Sequence, residues 1–392
     1  MRTRTEIYPI GDSPSANVQK AVPVQEVSEV SEVSELDEVI KSIRKAKGDD
    51  SILTADKIPL ATHLPTGAFL LDFALMGGIP EGFPTMIYGV ESSGKTTLLK
   101  HIVGQFNKKH PTKKAAWIDS EGMFDPDWAA QMGVDSDKLL LCRPEDGQEA
   151  VDLIEALMGA KEIGLVILDS IPSCVPKAIL EKSANDMTMG ELARLMSIMC
   201  SKICMSYAKE RKRGHFVTII MVNQWRSKMG MVFGDPRTLA GGRQINHIPT
   251  TKIELKNKEI MGKDKWGNEI VEHNEHSFKI AKAKHGSSIR SGEFVMQING
   301  SNEQGLKQGQ FNDYSTIVMY AKKMGFITGG GASWKILGNE QKFSKLKEIE
   351  TYLQNNPDTE LMLKQAMIQT QRADKGMPQT PRDNFLLAPI PQ

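Results

Sequence analysis

Short apolar runs alternate with longer segments of helical periodicity through the middle of the chain. Five runs have the length of buried strands, at residues 86–89, 115–119, 139–142, 164–169 and 216–223. Segments between them, such as 148–161 and 189–211, repeat apolar residues at helical spacing. This alternation predicts an α/β fold with a mostly parallel sheet and helices on both faces. Three further apolar segments, at 252–256, 277–281 and 293–298, are predicted to extend the sheet.

The two ends of the chain differ from this middle. Residues 1–25 are polar and contain prolines and serines, which predicts a disordered tail. Residues 26–60 hold a Glu-Val-Ser repeat, a predicted helix at 36–47 capped by Gly48, and an extended segment at 51–60. That segment either joins its own sheet or docks on a neighbouring subunit. We expect the core at 61–300, a small α+β domain at 301–370 and a flexible tail at 371–392.

Composition narrows the class of protein only slightly. The 49 basic and 48 acidic side chains leave a formal net charge of +1, so any binding of nucleic acid must come from local clusters. The four cysteines lack the paired spacing of a zinc site and suit a reducing compartment. No apolar run approaches the roughly 18 residues that span a bilayer, and the first residues lack a signal-peptide core. We expect an intracellular protein without a membrane partner.

One nine-residue segment carries a strong signal for nucleotide chemistry. It reads Gly89-Val90-Glu91-Ser92-Ser93-Gly94-Lys95-Thr96-Thr97, and it lies between a predicted strand and a predicted helix. This is the phosphate-binding loop pattern, in which backbone amides and the helix N-terminus surround phosphates. Lys95 would reach the β- and γ-phosphates of ATP, and the Thr96 hydroxyl would ligate Mg²⁺. The alternative is a glycine-rich turn that binds no nucleotide.

Acidic and amide side chains follow other predicted strands. Asp169 ends the strand at 164–169 and is expected to hold Mg²⁺ with Thr96. Glu121 follows the strand at 115–119, where it could polarise the water that attacks the γ-phosphate, or simply be a solvated glutamate. Gln224 lies at the end of another strand, where an amide can sense the γ-phosphate and signal to the segment that follows.

That following segment, residues 227–243, is long, rich in glycine and basic. Its cations and large apolar side chains suit a nucleic-acid strand, with cations for phosphates and apolar groups for bases. A flexible lid over the nucleotide explains the same composition equally well, since long loops inside compact domains are often functional or mobile.

Together these motifs resemble the RecA family of bacterial recombinases, over about residues 49–370. The matching positions are Glu91 to Thr97, Met189-Gly190 with Ala193-Arg194, Asn223-Gln224 with Arg226 and Lys228, Phe233-Gly234, and Gly241-Gly242. The resemblance implies a catalytic role for Glu121 and a coupling role for Gln224. It places Asp125 and Trp128 at the adenine. It implies DNA-binding roles for Met189, Arg194, Ser197, Arg226, Lys228, Met229, Gly241, Gly242 and Arg243.

The resemblance also implies an assembly. Lys282 and Lys284 match the lysines that reach a neighbouring subunit's ATP, although without the resemblance their pattern favours a solvated strand end. The expected protein forms helical filaments on single-stranded DNA and exchanges strands with a homologous duplex, with ATP and Mg²⁺ as cofactors, in the cytoplasm of a bacterium or an infected host cell. Two alternatives share the ATPase core: a hexameric helicase motor and a regulatory module that coats DNA without exchanging strands. Gly241-Gly242 and Phe233-Gly234 favour the recombinase.

Overall fold

The computed structural model describes residues 34–54, 61–181, 190–227, 237–287, 289–299 and 305–377. Contacts between residues divide the chain into two compact units, Met1–Ile58 and Pro59–Gln392. The predicted disordered tail at 1–25 and most of the Glu-Val-Ser repeat lie outside the described residues. The same holds for three predicted DNA-binding residues, Met189, Lys228 and Met229.

The first unit contains one helix, α1 (Glu35–Lys47), among its described residues. Ser34 caps its start by accepting a hydrogen bond from the Asp37 amide at 3.2 Å, and Gly48 ends it with a φ of 94°. Both features satisfy backbone groups that a helix end leaves unpaired. The predicted helix is therefore confirmed. The described part of the predicted extended segment begins in a 3₁₀ turn, Asp49–Ser51, and no strand follows before residue 55, where the description stops.

The second unit holds the other helices and all the strands described. The helices are α2 (Phe69–Ala74), α3 (Lys95–Lys109), α4 (Pro126–Gln131), α5 (Gly147–Gly159), α6 (Lys177–Leu180), α7 (Glu191–Lys212), α8 (Gln244–His247), α9 (Tyr314–Lys323), α10 (Leu346–Asn355) and α11 (Pro357–Asp374). The strands are β1 (His63–Leu64), β2 (Ile79–Pro80), β3 (Pro84–Gly89), β4 (Lys114–Asp119), β5 (Leu139–Cys142), β6 (Ile163–Asp169), β7 (Thr218–Ser227), β8 (Arg237–Leu239), β9 (Thr251–Lys263), β10 (Glu269–Ala283), β11 (Ser291–Gln297), β12 (Ile327–Gly330), β13 (Ser333–Ile336) and β14 (Lys342–Phe343).

The central sheet confirms the predicted α/β class. Its strand order is β11-β10-β9-β3-β7-β6-β4-β5, and β8 pairs with β7 outside that path. The strands from β9 to β5 along this order run parallel, whereas β10, β11 and β8 pair antiparallel with their neighbours. All the carboxyl ends of the parallel strands therefore meet at one edge, which is where an open α/β sheet binds its ligands.

Both faces of the sheet are covered, which explains the nearly continuous apolar strands. In β6, Leu165 and Ile167 pack in the core cluster that contains α3, whereas Val166 and Leu168 pack in the cluster that contains α5 and α7. Successive side chains of a strand point to opposite faces, so a strand buried on both faces cannot alternate with polar residues.

The C-terminal part combines helices α9 to α11 with a small antiparallel sheet, β12-β13-β14. Tyr320 of α9 packs on Phe69 and Phe73 of α2, with ring centroids 6.1 Å and 5.1 Å away. The predicted boundary of the C-terminal tail at 371 lies inside α11, which continues to Asp374. Arg372 is 3% exposed and its Nη1 donates to the Met76 carbonyl at 2.9 Å, so burial keeps this part of the chain in the helix.

The β9–β10 hairpin is longer than its apolar segments suggested. Only 252–256 and 277–281 were predicted as strands, but the pairing runs from Thr251↔Ala283 to Lys263↔Glu269. The outer half is largely exposed and carries many charged residues, so it lacks the apolar signal of a buried strand. Asp264 stabilises the tip by accepting the amides of Trp266 and Asn268, and Trp266 is 75% exposed.

In the part of the chain that the structure describes, every helix is too short or too polar to span a bilayer.

Candidate functional site

The fold brings together residues of four strands that are far apart in the sequence. The phosphate loop, Asp169 and Glu121 lie at or just beyond the carboxyl ends of β3, β6 and β4, in the strand order β3-β7-β6-β4. Asn223 and Gln224 of β7 lie level with the end of β3, although β7 itself continues to Ser227. The predicted catalytic and metal-binding residues of a single subunit therefore share one edge of the sheet.

The phosphate loop has the shape of an anion site. Ser92 and Gly94 both have positive φ values, 56° and 85°, and α3 begins immediately afterwards at Lys95 with no side-chain cap. The uncapped amides at the start of a helix attract phosphate groups. The Lys95 Nζ donates to the Val90 carbonyl at 2.6 Å and to Ser93 Oγ at 3.1 Å, which holds it over the loop. Burial lowers the Lys95 pKa, while the carboxylates of Asp169, Glu121 and Glu91 oppose this shift.

Thr96 and Asp169, which the sequence predicts to hold Mg²⁺, are in direct contact. Thr96 Oγ1 donates to Asp169 Oδ2 at 2.9 Å across the end of β6. Burial raises the Asp169 pKa to about 6, and the negative charges of Glu121 and Asp119 add to that shift, whereas the Thr96 hydrogen bond and Lys95 lower it. A hydroxyl and a carboxylate are hard oxygen ligands, and a divalent cation would offset the crowded negative charge. These residues therefore fit Mg²⁺ together with the phosphates of a nucleotide.

A set of serines surrounds Glu121. Its Oε1 accepts hydrogen bonds from Ser170 Oγ at 2.5 Å and Ser173 Oγ at 3.3 Å. The Ser120 Oγ donates to the Ser170 carbonyl and accepts from the Ser170 amide, both at 2.9 Å, which ties the ends of β4 and β6 together. The serines fix the orientation of an exposed carboxylate beside Asp169. The sequence did not predict the contacts of these serines with Glu121. The one feature that could have indicated them is that Ser170 directly follows Asp169.

Asn223 connects the nucleotide edge to the segment that follows β7. It is fully buried, its Nδ2 donates to the Ala240 carbonyl at 3.0 Å, and its Oδ1 accepts the amides of Ala240 at 3.2 Å and Gln224 at 2.8 Å. The sequence pointed to Gln224 as the coupling residue. Gln224 is half-buried within β7, which continues to Ser227, and the side-chain hydrogen bonds to Ala240 belong to Asn223.

Five of the predicted DNA-binding residues that the structure describes lie in or beside the start of α7, namely Arg194, Ser197, Gly241, Gly242 and Arg243, whereas Arg226 lies on β7. Gly241 and Gly242 have φ values of 85° and 80° and lie so close to this helix that a Cβ at Gly242 would be 2.8 Å from Ala193 Cβ. Arg194 and Arg243 are exposed beside this contact, and Arg226 is exposed at the end of β7. The Ser197 hydroxyl donates to the Ala193 carbonyl within the helix at 2.9 Å.

Asp125 and Trp128 lie beside the phosphate-loop helix. Trp128 is half-buried, and its Nε1 is 3.5 Å from Thr97 Oγ1 at the start of α3. Asp125 caps α4 by accepting the Trp128 amide at 3.0 Å, and its carbonyl accepts from Lys100 Nζ at 3.2 Å. The indole is therefore close enough to the loop to meet a base, whereas Asp125 has a structural role in addition to any contact with a base.

Lys282 and Lys284 lie away from this site within one chain. Lys282 pairs with Lys252 near the start of β9, and the adjoining Thr251 pairs with Thr85 near the start of β3. Both lysines are therefore at the opposite edge of the sheet from the phosphate loop. Lys282 Nζ donates to the His247 carbonyl at 2.7 Å, and burial, with the nearby Lys284 charge, lowers its pKa.

A phosphate loop, a buried acid at the end of another strand of the same sheet and an oriented glutamate together define the phosphate-loop nucleotide-binding class of proteins. Residues 34–301 match the family model described as the RecA N-terminal domain. The chain is 33% identical over 295 residues to Protein RecA of Chloroflexus aurantiacus, covering 75% of this chain and 78% of that one. It is 31% identical over 340 residues to Protein RecA of Oceanobacillus iheyensis, covering 86% and 92%. The chain belongs to the RecA family, as its motifs predicted.

Proposed function

We propose that this protein uses ATP to form helical filaments on single-stranded DNA and to exchange strands with a homologous duplex. The observation that carries this function is the buried Asn223. Its hydrogen bonds join the nucleotide edge of the sheet to the turn at Gly241 and Gly242, so a change at one can alter the other. Membership of the RecA family supports the same function. The protein would act in the cytoplasm of a bacterium or an infected host cell.

The residues of the sheet edge account for ATP hydrolysis. The loop amides and Lys95 bind the phosphates, Thr96 and Asp169 hold Mg²⁺, and Trp128 stacks on the adenine. When bound, Mg²⁺ neutralises negative charge on the phosphate oxygens. Glu121, oriented by Ser170 and Ser173, positions the attacking water and accepts its proton.

The position of Lys282 and Lys284 supports head-to-tail assembly. They lie at the edge of the sheet opposite the phosphate loop, so they can reach the γ-phosphate only in another subunit. If one subunit's far edge meets the next subunit's nucleotide edge, the interface is heterologous, and repeating it without closure gives a helical filament.

The clustered cations account for DNA binding. Arg194 at the start of α7 and Arg243 beside the Gly241–Gly242 turn are exposed near each other, and Arg226 is exposed on β7 where that strand pairs with β8. Their charges would neutralise phosphates of single-stranded DNA, whereas base pairing with the incoming duplex supplies sequence recognition. Gln224 would sense the γ-phosphate, and Asn223 would pass the change to the DNA-binding turn. Met189, Lys228 and Met229 are assigned to the same surface on their sequence positions.

Electron microscopy provides the test. The purified protein is mixed with single-stranded DNA and a slowly hydrolysed ATP analogue, with ADP as the control nucleotide. We expect extended helical filaments with the analogue, followed by strand exchange between homologous but not heterologous DNA. Closed rings that encircle the strand and unwind duplexes would instead identify a helicase motor. Filaments without strand exchange would identify a DNA-coating module.

A further inference from the structure

A pair of residues on the β9–β10 hairpin contacts the phosphate loop from behind. Leu255 of β9 pairs with Gly89 at the end of β3, so the hairpin continues past the loop. Asn257 and His276 are direct cross-strand partners at this level. Asn257 Nδ2 donates to the Ser92 carbonyl at 3.4 Å, and the His276 ring lies against Gly94.

The part of the loop that they contact needs support. Ser92 is one of two non-glycine residues with positive φ among the described residues, and its φ is 56°. A residue with a Cβ adopts the left-handed region only when surrounding contacts hold it there. Asn257 provides one such contact, because its amide binds the carbonyl of the strained residue itself.

His276 supports the next turn of the loop by shape. A Cβ placed on Gly94 would lie 2.4 Å from His276 Cε1, so the ring fills the space directly beneath this glycine. The ring also stacks on Phe294, with centroids 5.1 Å apart and planes 26° from parallel. Movement of Gly94 toward the hairpin would therefore meet the His276 ring directly.

The chemistry of His276 is unusual for a core residue. It is 2% exposed, and neither ring nitrogen makes a hydrogen bond of normal geometry within the described structure, although the Ser93 backbone lies close enough to interact with the ring. Buried polar groups are normally paired, so packing alone would favour an apolar side chain here. Burial lowers its pKa to about 4, with partial opposition from the Ser93 backbone, so the ring is neutral near neutral pH. Because the ring is neutral, it contacts the loop backbone without adding a second positive charge that would compete with Lys95 for the phosphates.

We infer that Asn257 and His276 are positioning residues for the phosphate loop. They hold Ser92 to Gly94 in the conformation that turns the loop amides toward the nucleotide, and neither touches the nucleotide itself. The inference rests on the proposed ATP-binding function. It also gives the hairpin a role in nucleotide affinity. The sequence does not indicate this role, because the hairpin is far from the loop along the chain.

The test compares nucleotide affinity with stability in matched variants of the full chain. Asn257→Ala removes the amide that binds Ser92, and Asn274→Ala is its control on the neighbouring strand. His276→Ala removes the ring beneath Gly94, His276→Asn is the conservative replacement, and Phe294→Leu alters the other side of the same stack. The measurements are the dissociation constant of a fluorescent ATP analogue, KM and kcat for ATP with single-stranded DNA, and the thermal midpoint.

We expect Asn257→Ala and His276→Ala to weaken nucleotide binding at least about tenfold, because the loop amides would no longer be held facing the phosphates. KM should rise more than kcat falls, and His276→Asn should recover part of the loss. The two controls should lower the thermal midpoint while leaving the dissociation constant within about twofold of the wild type.

Wild-type affinity in both Asn257→Ala and His276→Ala would overturn the inference and leave the proposed function standing. Equal losses of affinity in Asn274→Ala and Phe294→Leu would also overturn it, because the effect would then be general destabilisation. If the wild-type protein itself bound no ATP analogue, the proposed function would fail first.

Discussion

Two glycine-containing turns, the phosphate loop and the Gly241–Gly242 turn, have similar backbone dihedrals but different surroundings. Gly94, Gly241 and Gly242 all have φ values between 80° and 85°. The phosphate loop is contacted from behind by the hairpin and presents its amides outward. The Gly241–Gly242 turn packs against the side chains of α7, where Met196 Cγ would be 2.9 Å from a Cβ on Gly241. Glycine therefore allows close packing behind both turns, against the hairpin in one and against α7 in the other, and only the phosphate loop also presents its amides outward.

The two regions also differ in how far apart their parts lie in the sequence. The phosphate loop is nine consecutive residues, so one motif describes it. The proposed DNA-binding surface draws on the start of α7, the end of β7 and the turn after β8, and the Asn223 hydrogen bonds join β7 to the segment at Ala240. Three experiments test whether the regions act separately.

Replacing Lys95 should have the largest effect. Lys95→Ala removes the cation beside the phosphates, so we expect ATP hydrolysis to fall by at least about 100-fold, comparable with the loss of a key donor in an electrostatic site. Steady-state hydrolysis with and without single-stranded DNA measures it. Lys108→Ala, an exposed lysine near the other end of α3, is the matched control and should retain activity. Normal hydrolysis by Lys95→Ala would show that the nucleotide site is not at this loop.

An alanine at Gly242 should have a smaller effect, confined to the DNA side. Its positive φ costs about 1–2 kcal/mol for a residue with a Cβ, and the added methyl meets Ala193. We expect single-stranded DNA affinity to fall about tenfold, while nucleotide affinity without DNA changes little. Fluorescence anisotropy with labelled oligonucleotides measures the first, and the fluorescent ATP analogue measures the second.

Gly267→Ala supplies the matched control for that experiment. Gly267 at the hairpin tip has a φ of 87° but no atom within 4 Å of an added Cβ. It therefore reproduces the backbone strain without the contact with α7. If it weakened DNA binding as much as Gly242→Ala does, strain alone would explain the result.

Lowering the pH should produce the smallest effect, which is a decrease in the free energy of unfolding caused by two buried histidines. Burial lowers the pKa of His101 and of His276 from 6.5 to about 4. The unfolded chain therefore binds protons that the folded chain excludes. The contribution of the two neutral histidines to the free energy of unfolding is therefore complete above pH 6.5. It is lost as the pH falls toward 4. Between pH 7 and pH 6 each histidine should reduce the free energy of unfolding by less than about 1 kcal/mol.

Thermal midpoints across this pH range check the sign. His101→Leu keeps an apolar side chain against Phe311, whose ring centroid is 4.2 Å from that of His101, and removes the titrating group. Its midpoint should fall less steeply with acid than that of the wild type. An equal slope in both proteins would assign the acid sensitivity to other groups.

Much of the fold was predictable because its signals are local. Apolar runs buried on both faces predicted the parallel strands, and helical periodicity predicted α5 and α7 to within about two residues. The phosphate loop, Asp169 and Glu121 were predictable for a related reason: each follows a strand that the sequence itself marks, and parallel strands place their carboxyl ends at one edge.

Other features depended on contacts between distant segments. Arg372 continues α11 past residue 371 because it is buried against Met76, which no local pattern near residue 371 indicates. Asn223, rather than Gln224, bonds to Ala240 because the chain returns beside β7 after the intervening segment. The outer hairpin strands were missed because exposed strands lack a continuous apolar run.

The sequence by itself determined the class of fold, the family and the chemistry of one edge of the sheet, because periodicity and motif spacing are properties of neighbouring residues. The tertiary structure alone decided what surrounds that edge. It placed Asn257 and His276 behind a loop more than 160 residues away in the chain, and it set Lys282 and Lys284 at the opposite edge of the sheet. Strand order and register determine these contacts, because they decide which distant side chains become neighbours.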